Sequence, residues 1–227
     1  MKKLSTFLPL AAVFLFAACA DKTVSGPDSG VATLSLPANA NGSSGLTLHP
    51  SGFGPHALAA WRANEGEQDS HGNADHALYF QKFTATETFA AGIAVIKGLE
   101  DAPVSALTGL EWQHRIDGWC GAGAPRWDLF LDDAAGNHYT VFLGCAAAAK
   151  SPGDEPGRWI RDTYAAAAIT AALPGVDPTG LTIRGLQIVF DEGTTQFDLP
   201  LGPGQTWLDN IVVNGHVWTS PADNGAN

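Results

Sequence analysis

The sequence predicts an all-β fold built as a two-sheet antiparallel β-sandwich. From about residue 77 onward, short runs rich in β-branched and aromatic residues alternate with Gly, Pro and Asn turns. Almost no stretch has the 3.6-residue apolar spacing of an amphipathic helix. No repeat of fixed period is visible, which disfavours a propeller or a solenoid. Short strands without helices or repeats indicate two packed sheets.

Nine runs are candidate strands, and Leu110 to Ile116 illustrates the pattern. Leu110, Trp112 and Ile116 fall on one side of that run and charged or polar residues on the other, as in a half-buried strand. The segment 46–55 contains Gly and Pro and is expected to stay irregular. The candidate strands are Ala77 to Phe83, Ile93 to Ile96, Leu110 to Ile116, Trp127 to Asp132, His138 to Leu143, Trp159 to Tyr164, Thr182 to Phe190, Trp207 to Val213 and His216 to Thr219.

Turn residues predict two hairpins and one short helix. The segment Asp133 to Asn137, with Gly136, joins the fourth and fifth candidate strands. Asn214-Gly215 suits a two-residue turn because both residues tolerate positive φ. The alanine-rich segment Ala165 to Leu173 favours a helix of two turns, which would not alter the fold class.

The first eighteen residues have the anatomy of a signal peptide. Lys2 and Lys3 are followed by an apolar run from Phe7 to Phe16 and then by small residues. The run is shorter than the roughly 20 residues that a membrane-spanning helix needs. Export is therefore expected, and a permanent membrane span is not.

Phe16-Ala17-Ala18-Cys19 resembles the lipobox of bacterial lipoproteins, although Phe16 stands where that pattern usually has Leu. The resemblance implies cleavage before Cys19 and attachment of diacylglycerol and palmitate to this cysteine. Ala20 follows it, and the resemblance to the sorting rule of enteric lipoproteins implies the outer membrane or the cell surface. The alternative is an ordinary secretory signal that is cut after Ala18 or Ala20 and leaves a free thiol.

Three cysteines are an awkward number in an oxidising compartment. If Cys19 carries lipid, Cys120 and Cys145 remain, and they flank the first predicted hairpin, which brings its outer ends together. We therefore expect a disulfide between Cys120 and Cys145, with two reduced buried thiols as the alternative. Its loop of about 25 residues would stabilise the fold by roughly 3 kcal/mol.

The chain divides into a signal peptide at 1–18, a lipidated tether at 19–45, a β-sandwich domain at 46–220 and a disordered tail at 221–227. The tether is rich in Ser, Gly, Pro and Asn. Cleavage removes two of the twelve basic residues, so ten remain against 23 acidic ones, a net charge of −13. That charge repels phosphate backbones and excludes nucleic acid as a partner, while cations and neutral sugars stay compatible with it.

Residues 204–215 read Gly204-Gln205-Thr206-Trp207-Leu208-Asp209-Asn210-Ile211-Val212-Val213-Asn214-Gly215. This segment resembles the final strand of jelly-roll domains of the carbohydrate-binding-module and galactose-binding-like type. The segment Leu186 to Gly193 resembles the penultimate strand of these domains. The segment Gly72 to Phe80 resembles one of their early strands. The segment Asp117 to Trp127, followed by Phe142 to Cys145, is similar to uncharacterised secreted bacterial β-sandwich proteins. The resemblance implies a jelly-roll-like sandwich.

Asp209 is the candidate metal ligand. The resemblance places it where many jelly-roll binding modules offer a carboxylate to a structural Ca²⁺, a hard cation that prefers oxygen ligands. The alternative is an Asp that bonds a neighbouring loop. The segment Asp69 to His76 is only vaguely similar to a calcium loop, because Ala74 replaces the required Gly, and an acidic surface loop is the simpler interpretation.

Seven Trp residues are many for a chain of this length. Sugar rings stack on indole through their apolar C–H faces. Trp112, Trp127 and Trp207 lie in apolar strand patterns and are predicted core residues. Trp61, Trp119 and Trp159 lie beside charged or Gly-rich segments and are the candidates for an exposed stacking platform. Core or strand-edge packing is the alternative for each.

No enzyme signature is present: the sequence lacks a Gly-x-Ser-x-Gly elbow, a His-Glu-x-x-His pair and a Walker loop. The first hypothesis is therefore a non-enzymatic, membrane-anchored lipoprotein that binds a polysaccharide or another cell-surface partner. The second is a structural or interaction lipoprotein without a small ligand. The third is a hydrolase whose residues come together only in the fold.

Overall fold

The structure is a computed structural model, and it describes residues 45–68, 75–173, 175–195 and 203–224. The predicted signal peptide, Cys19 and the tether up to residue 44 lie outside the described residues. The calcium-like loop from Asp69 lies outside them up to residue 74. Within the described part of the chain, no helix is both long and apolar enough to cross a membrane.

The described residues form twelve strands and one short α-helix. They are β1 (Thr47–Phe53), β2 (Ala57–Ala63), β3 (His76–Lys82), β4 (Ala91–Lys97), β5 (Gly109–Arg115), β6 (Arg126–Asp132), β7 (His138–Gly144), β8 (Ala149–Pro152), β9 (Trp159–Ala165), α1 (Ala166–Ala171), β10 (Thr182–Phe190), β11 (Gln205–Val213) and β12 (His216–Trp218).

These strands form two antiparallel sheets, which confirms the predicted all-β sandwich. The five-stranded sheet has the order β1-β4-β10-β6-β7. The seven-stranded sheet has the order β2-β3-β11-β5-β9-β8, and β12 pairs with β11. Consecutive strands such as β1 and β2, or β3 and β4, lie in different sheets, so most pairings join segments that are distant along the chain.

The core lies between the sheets and is built by alternate residues of each strand. In β6, Trp127, Leu129 and Leu131 are fully buried and face the other sheet. Trp127 stacks on Trp112 of β5 with ring centroids 5.0 Å apart, and Tyr164 of β9 meets Trp112 edge-on at 5.5 Å. The predicted core positions of Trp112 and Trp127 are confirmed.

Both predicted hairpins are present. The turn at residues 133–137 joins β6 to β7, with Gly136 at φ 82°. Asn214 and Gly215 have φ of 53° and 82° and join β11 to β12. The disulfide between Cys120 and Cys145 is also confirmed, with Cα atoms 5.4 Å apart.

Two predictions about elements were wrong, and two strands were not predicted. The segment 46–55 is not irregular but contains β1, an edge strand paired along its whole length with β4. Strands β2 and β8 were not predicted. Their sequences, ALAAWRA and AKSP, contain mostly small or polar residues, which have low strand propensity. Ile116 follows the end of β5 and is 49% exposed, so it does not face the core.

The predicted disordered tail is ordered over its first four residues. Pro221–Asp223 forms a 3-10 turn capped by the Ser220 side chain. The Asn224 amide then accepts hydrogen bonds from the Leu48 N–H at 2.7 Å and the Trp218 indole at 3.0 Å, and it donates to the Leu48 carbonyl. These bonds fix the end of the described chain to β1.

Candidate functional site

The outer face of the five-stranded sheet carries the site. Because side chains alternate along a strand, every second residue of β1, β4, β10, β6 and β7 points away from the core. Strand register aligns these residues in rows across the sheet. One row contains Ser51, Ile93, Val189 and Arg126, and the next contains His49, Val95, Gln187, Asp128 and Phe142.

A groove of about 390 Å³ runs over one end of this face. One side of it carries exposed phenylalanines, whereas its centre is polar. Phe53 of β1 and Phe89 of the 83–90 loop contact each other with centroids 4.8 Å apart, and Phe89 is 86% exposed. Phe142 of β7 is 61% exposed across the sheet, beyond Arg126, whose guanidinium lies 5.5 Å from its ring centroid.

Gly54 explains why Phe53 and Phe89 meet. The turn after β1 passes directly over the 83–90 loop, and a Cβ on residue 54 would lie 2.4 Å from the Phe89 carbonyl oxygen. Gly54 also has φ of 76°, a conformation that glycine adopts without strain. The close approach brings the two rings to the same rim of the groove.

Arg126 organises the polar centre. Its two terminal nitrogens donate to both carboxylate oxygens of Asp191 at 2.6 and 2.9 Å, and its Nε donates to Asp128 at 2.7 Å. Gln187 lies opposite Asp128 on the neighbouring strand. A planar guanidinium bonded on two edges is held in one orientation, so the centre of the groove presents a preorganised set of donors and acceptors.

Burial and charge act against each other in this centre. Asp128 is 5% exposed, and burial raises its pKa although the Arg126 charge opposes the shift. Burial lowers the pKa of Arg126, but its bonds to Asp191 and the nearby Asp128 charge outweigh this, and the net shift is upward. Arg126 therefore stays charged and pairs with both carboxylates.

Lys82 closes the end of the groove from β3 of the other sheet. Its side chain is 1% exposed, and Nζ donates to the carbonyls of Thr86 at 2.7 Å and Asp191 at 2.8 Å. These bonds tie the 83–90 loop to the end of β10. The loop that carries Phe89 is thus anchored by a buried cation.

The outer face of the seven-stranded sheet is covered over its central aromatic residues, although a second groove of about 490 Å³ lies along β8 and β9. Tyr79 and Trp207 pack against each other at 5.1 Å and are 2% and 8% exposed. Arg62 lies 3.5 Å from the Tyr79 ring centroid and Arg115 3.7 Å from that of Trp207, and the Trp207 indole donates to Glu65. These aromatic faces are occupied by the protein's own cations. Trp207 is buried as predicted, although outside the space between the sheets.

The structure does not bring the three proposed stacking tryptophans together on an open face. Trp159 is 1% exposed and packs with Tyr79 and Trp207, so the prediction of an exposed indole is wrong there. Trp61 and Trp119 are half-buried and contact the core, and neither indole nitrogen has a hydrogen-bond partner among the described residues. Sugar stacking at Trp61 and Trp119 stays a prediction.

Asp209 is 2% exposed and links strand β11 to the 64–68 loop. Its oxygens accept the N–H groups of Glu67 and Asn210, each at 2.7 Å, as the loop-bonding alternative requires. Glu67, only 4% exposed, accepts the Asn210 amide at 2.6 Å, and burial raises the pKa of Glu67. Asp154 accepts the same amide at 3.3 Å. Carboxylate and amide oxygens suit Ca²⁺ in chemistry, and calcium at Asp209 stays a prediction.

The groove residues were not found from the sequence. Phe53 stands in a segment that predicted irregular structure, and Phe89 stands in a loop outside every candidate strand. Phe142 did lie in a predicted strand, and its alternation with buried Val141 and Leu143 could have marked it as outward-facing. Arg126, Asp128 and Gln187 meet only through the pairing of β6 with β10, which no local pattern reveals.

Comparisons with known proteins find structural likeness only. No known protein family matches the chain, and no curated protein matches it. The family 30 carbohydrate-binding module of the cellulosomal cellulase Cel9D-Cel44B of Clostridium thermocellum is 15% identical, with a TM-score of 0.37 over 71% of this chain and 93% of the module. The family 11 carbohydrate-binding module of the cellulosomal cellulase Lic26A-Cel5E of the same organism is 11% identical, with a TM-score of 0.36 over 75% of this chain and 87% of the module. Both are β-sandwich domains, and at these scores the likeness does not identify a ligand.

Proposed function

We propose that this domain binds a neutral glycan chain across the outer face of its five-stranded sheet and performs no chemistry on it. The observation that carries the proposal is the groove itself, in which the exposed rings of Phe53 and Phe89 lie beside the fixed polar centre around Arg126 and Asp128. The exposed ring of Phe142 lies next to the groove, on the far side of Arg126. The net charge of −11 disfavours anionic polysaccharides and leaves neutral ones.

A sugar chain offers both kinds of surface that this groove complements. The apolar C–H face of a pyranose ring packs on an aromatic ring, and its hydroxyl groups bond planar side chains of fixed orientation. Arg126 donates, Asp128 and Asp191 accept, and Gln187 does both. An extended chain laid across the strands would contact Phe89 at the rim of the groove and Phe142 beyond Arg126.

A hydrolase is the less favoured function for this groove. Glycoside hydrolysis needs one carboxylic acid and one carboxylate that act independently on opposite sides of the bond. Asp128 and Asp191 instead share the Arg126 guanidinium, which holds them both as ion-pair partners. A structural lipoprotein without a ligand is the remaining alternative, and the groove with its exposed rings favours binding over it.

The proposal includes an exported protein anchored through lipid on Cys19, in the outer membrane or at the cell surface. The signal-peptide anatomy and the lipobox resemblance of residues 1–19 support it. The segment 19–45 would hold the sandwich clear of the membrane, where polysaccharide is reachable. Mass measurement of the mature N-terminus tests this anchor, and a terminus without diacylglycerol would contradict it.

Affinity electrophoresis through gels that contain single neutral polysaccharides tests the binding. We expect retardation of the wild type in at least one gel and its loss in Phe89→Ala and Phe142→Ala. Phe89→Tyr should retain binding because it keeps the ring. Each lost stacking contact should weaken binding about tenfold, the effect of roughly 1.4 kcal/mol.

Ile116→Ala is the matched control, since Ile116 is exposed and apolar but lies outside the groove. It should migrate as the wild type does. Retardation that survives both Phe substitutions but disappears in Trp119→Ala would move the site to the sequence-predicted tryptophans. No retardation in any gel would favour the lipoprotein without a small ligand.

A further inference from the structure

Beneath the disulfide lies a buried polar cluster that the glycan groove does not use. Asp162 of β9 is completely buried and stands at its centre, next to His114 of β5. The Cys145 sulfur lies 3.6 Å from the Asp162 Oδ2 and 3.8 Å from the His114 Nδ1. One ligand atom from each of His114, Asp162, Cys120 and Cys145 lies within 4.8 Å of all the others.

These four groups have the chemistry of a tetrahedral zinc site, and their ligand atoms already lie within reach of a single ion. Zinc binds thiolate sulfur at about 2.3 Å and imidazole or carboxylate at about 2.0–2.2 Å, which places neighbouring ligand atoms about 3.3–3.8 Å apart. The two Cys145 distances fall in or at the edge of that range. The two sulfurs are bonded to each other, and His114 contacts Asp162 directly, so both pairs must separate to admit the metal. We propose that reduction of the Cys120–Cys145 disulfide converts this cluster into a Zn²⁺ site whose ligands are the two cysteines, His114 and Asp162.

The conversion balances with a dithiol as reductant. The dithiol supplies two electrons and two protons and becomes a disulfide, while the bond between Cys120 and Cys145 breaks to give two thiols. Binding of Zn²⁺ then releases two protons as both thiols become thiolates. Cys120 is only partly buried and rotates away from Cys145 to take its place on the metal.

The surrounding charges suit the metal-bound state. Zinc with two thiolates, an ionised Asp162 and a neutral His114 has a net charge of −1. The Lys150 Nζ pairs with Asp162 Oδ1 and lies 3.4 Å from the Cys120 sulfur, so its positive charge neutralises the site. The Trp112 indole donates to Asp162 Oδ2 at 3.1 Å and orients the carboxylate. Such outer bonds fix metal ligands and raise affinity.

The arrangement gives the disulfide a second role besides crosslinking. In the oxidised protein the sulfurs bond each other, and Asp162 is held by Lys150, Trp112 and His114. In the reduced protein the two cysteines, His114 and Asp162 hold a metal, so the Cys120 and Cys145 segments stay linked to each other in either state.

The test uses the full chain, stripped of metal with EDTA and kept either oxidised or reduced with tris(2-carboxyethyl)phosphine. After incubation with Zn²⁺ and desalting, metal content is measured by mass spectrometry. We expect stoichiometric zinc in the reduced protein and none in the oxidised protein. X-ray absorption of the reduced zinc form should show two sulfur and two nitrogen or oxygen ligands.

Variants locate the site, and cobalt spectra with circular dichroism accompany each of them. Asp162→Asn and His114→Gln should each lower zinc affinity at least tenfold, and Lys150→Gln about tenfold. The control His138→Gln alters an exposed histidine and should bind as the wild type does. Absence of zinc from the reduced wild type overturns the proposal. X-ray absorption that shows only sulfur ligands also overturns the proposal. A folded His114→Gln variant that binds zinc as tightly as the wild type overturns it as well.

Discussion

At the scale of single residues, Asp133 shows how one carboxylate builds a turn. Its Oδ1 accepts the N–H groups of Ala135 and Asn137, each at 2.9 Å, and its Oδ2 accepts the Asn137 amide at 2.8 Å and the Tyr139 hydroxyl at 2.9 Å. These bonds lower the pKa of Asp133 to about 2, with the Asn137 side chain as the largest cause. The ionised carboxylate thus stabilises the β6–β7 hairpin.

This gives a pH-dependent prediction for Asp133→Asn. Because the folded pKa lies below the unfolded value of 3.8, the carboxylate stabilises the fold above about pH 4, and this stability is lost as the pH falls towards 2. We expect the variant to unfold at lower temperature than the wild type near neutral pH, and the difference to shrink below about pH 4.

Thermal melts over that range measure the difference. Glu87→Gln is the control, since it removes an exposed carboxylate from a different loop. A gap between wild type and Asp133→Asn that stays constant across the range would mean that the carboxylate charge is not what stabilises the turn.

Residue-level patterns in the sequence predicted some side chains well and others poorly. The disulfide was predictable, because the lipobox resemblance set Cys19 aside and the predicted hairpin brings Cys120 and Cys145 together. The seven tryptophans were not, because whether an indole is exposed depends on what covers its strand. Trp159 has polar neighbours in sequence, yet Tyr79 and Trp207 of other strands enclose it.

At the scale of elements, the contact between β11 and the 64–68 loop buries carboxylates close to one another. Asp209 and Glu67 are buried, and Asp154 meets the same Asn210 amide as Glu67. Burial raises the pKa of Glu67, so the fold disfavours its ionised form. A hard cation at this segment would compensate that charge. We therefore keep calcium at Asp209 as a proposal.

Calcium binding should raise the melting temperature of EGTA-stripped, oxidised protein, because a ligand that binds only the folded state stabilises it. With calcium at 100 times its dissociation constant the gain is about 2.7 kcal/mol. Asp209→Asn should melt at the same temperature with and without calcium, while the exposed control Asp101→Asn should respond as the wild type does. An unchanged wild-type midpoint would remove Asp209 from the list of metal ligands.

Strands were predicted correctly where apolar and polar residues alternate clearly, and they were missed where the segment has few large apolar residues. The runs that became β5, β6, β7, β10 and β11 contain aromatic or β-branched residues on alternating sides, and each was found. Strands β1 and β8 lie at sheet edges and bury few side chains. Because little apolar surface is required of such strands, their sequences hardly differ from those of loops.

At the scale of the whole molecule, the fold class was predictable and the candidate site was not. Short alternating runs and turn residues suffice for two antiparallel sheets. The groove depends instead on which strands pair and in which register. Arg126 and Asp191 form their ion pair only because β6 lies beside β10. The same register places Phe142 beside the groove, opposite Asp128, whereas the loop held by Lys82 places Phe89 at the rim.

The two outer faces of the sandwich differ in a way that composition alone conceals. The seven-stranded sheet carries Tyr79 and Trp207, but Arg62 and Arg115 cover these rings, and its Trp159 is buried. The five-stranded sheet carries phenylalanines that stay exposed. A face already packed by its own protein has little to offer a ligand, so the sheet with fewer aromatic residues is the one that we assign to binding.

The most direct test of that assignment is an amide NMR titration of the oxidised protein with an oligosaccharide cut from the retarding polysaccharide. We expect the shifted amides to cluster on the outer face of the five-stranded sheet, around Phe89, Arg126, Gln187 and Phe142. The amides near Trp61 and Trp119 should stay in place. Shifts confined to those tryptophans, or to the outer face of the seven-stranded sheet, would contradict the account.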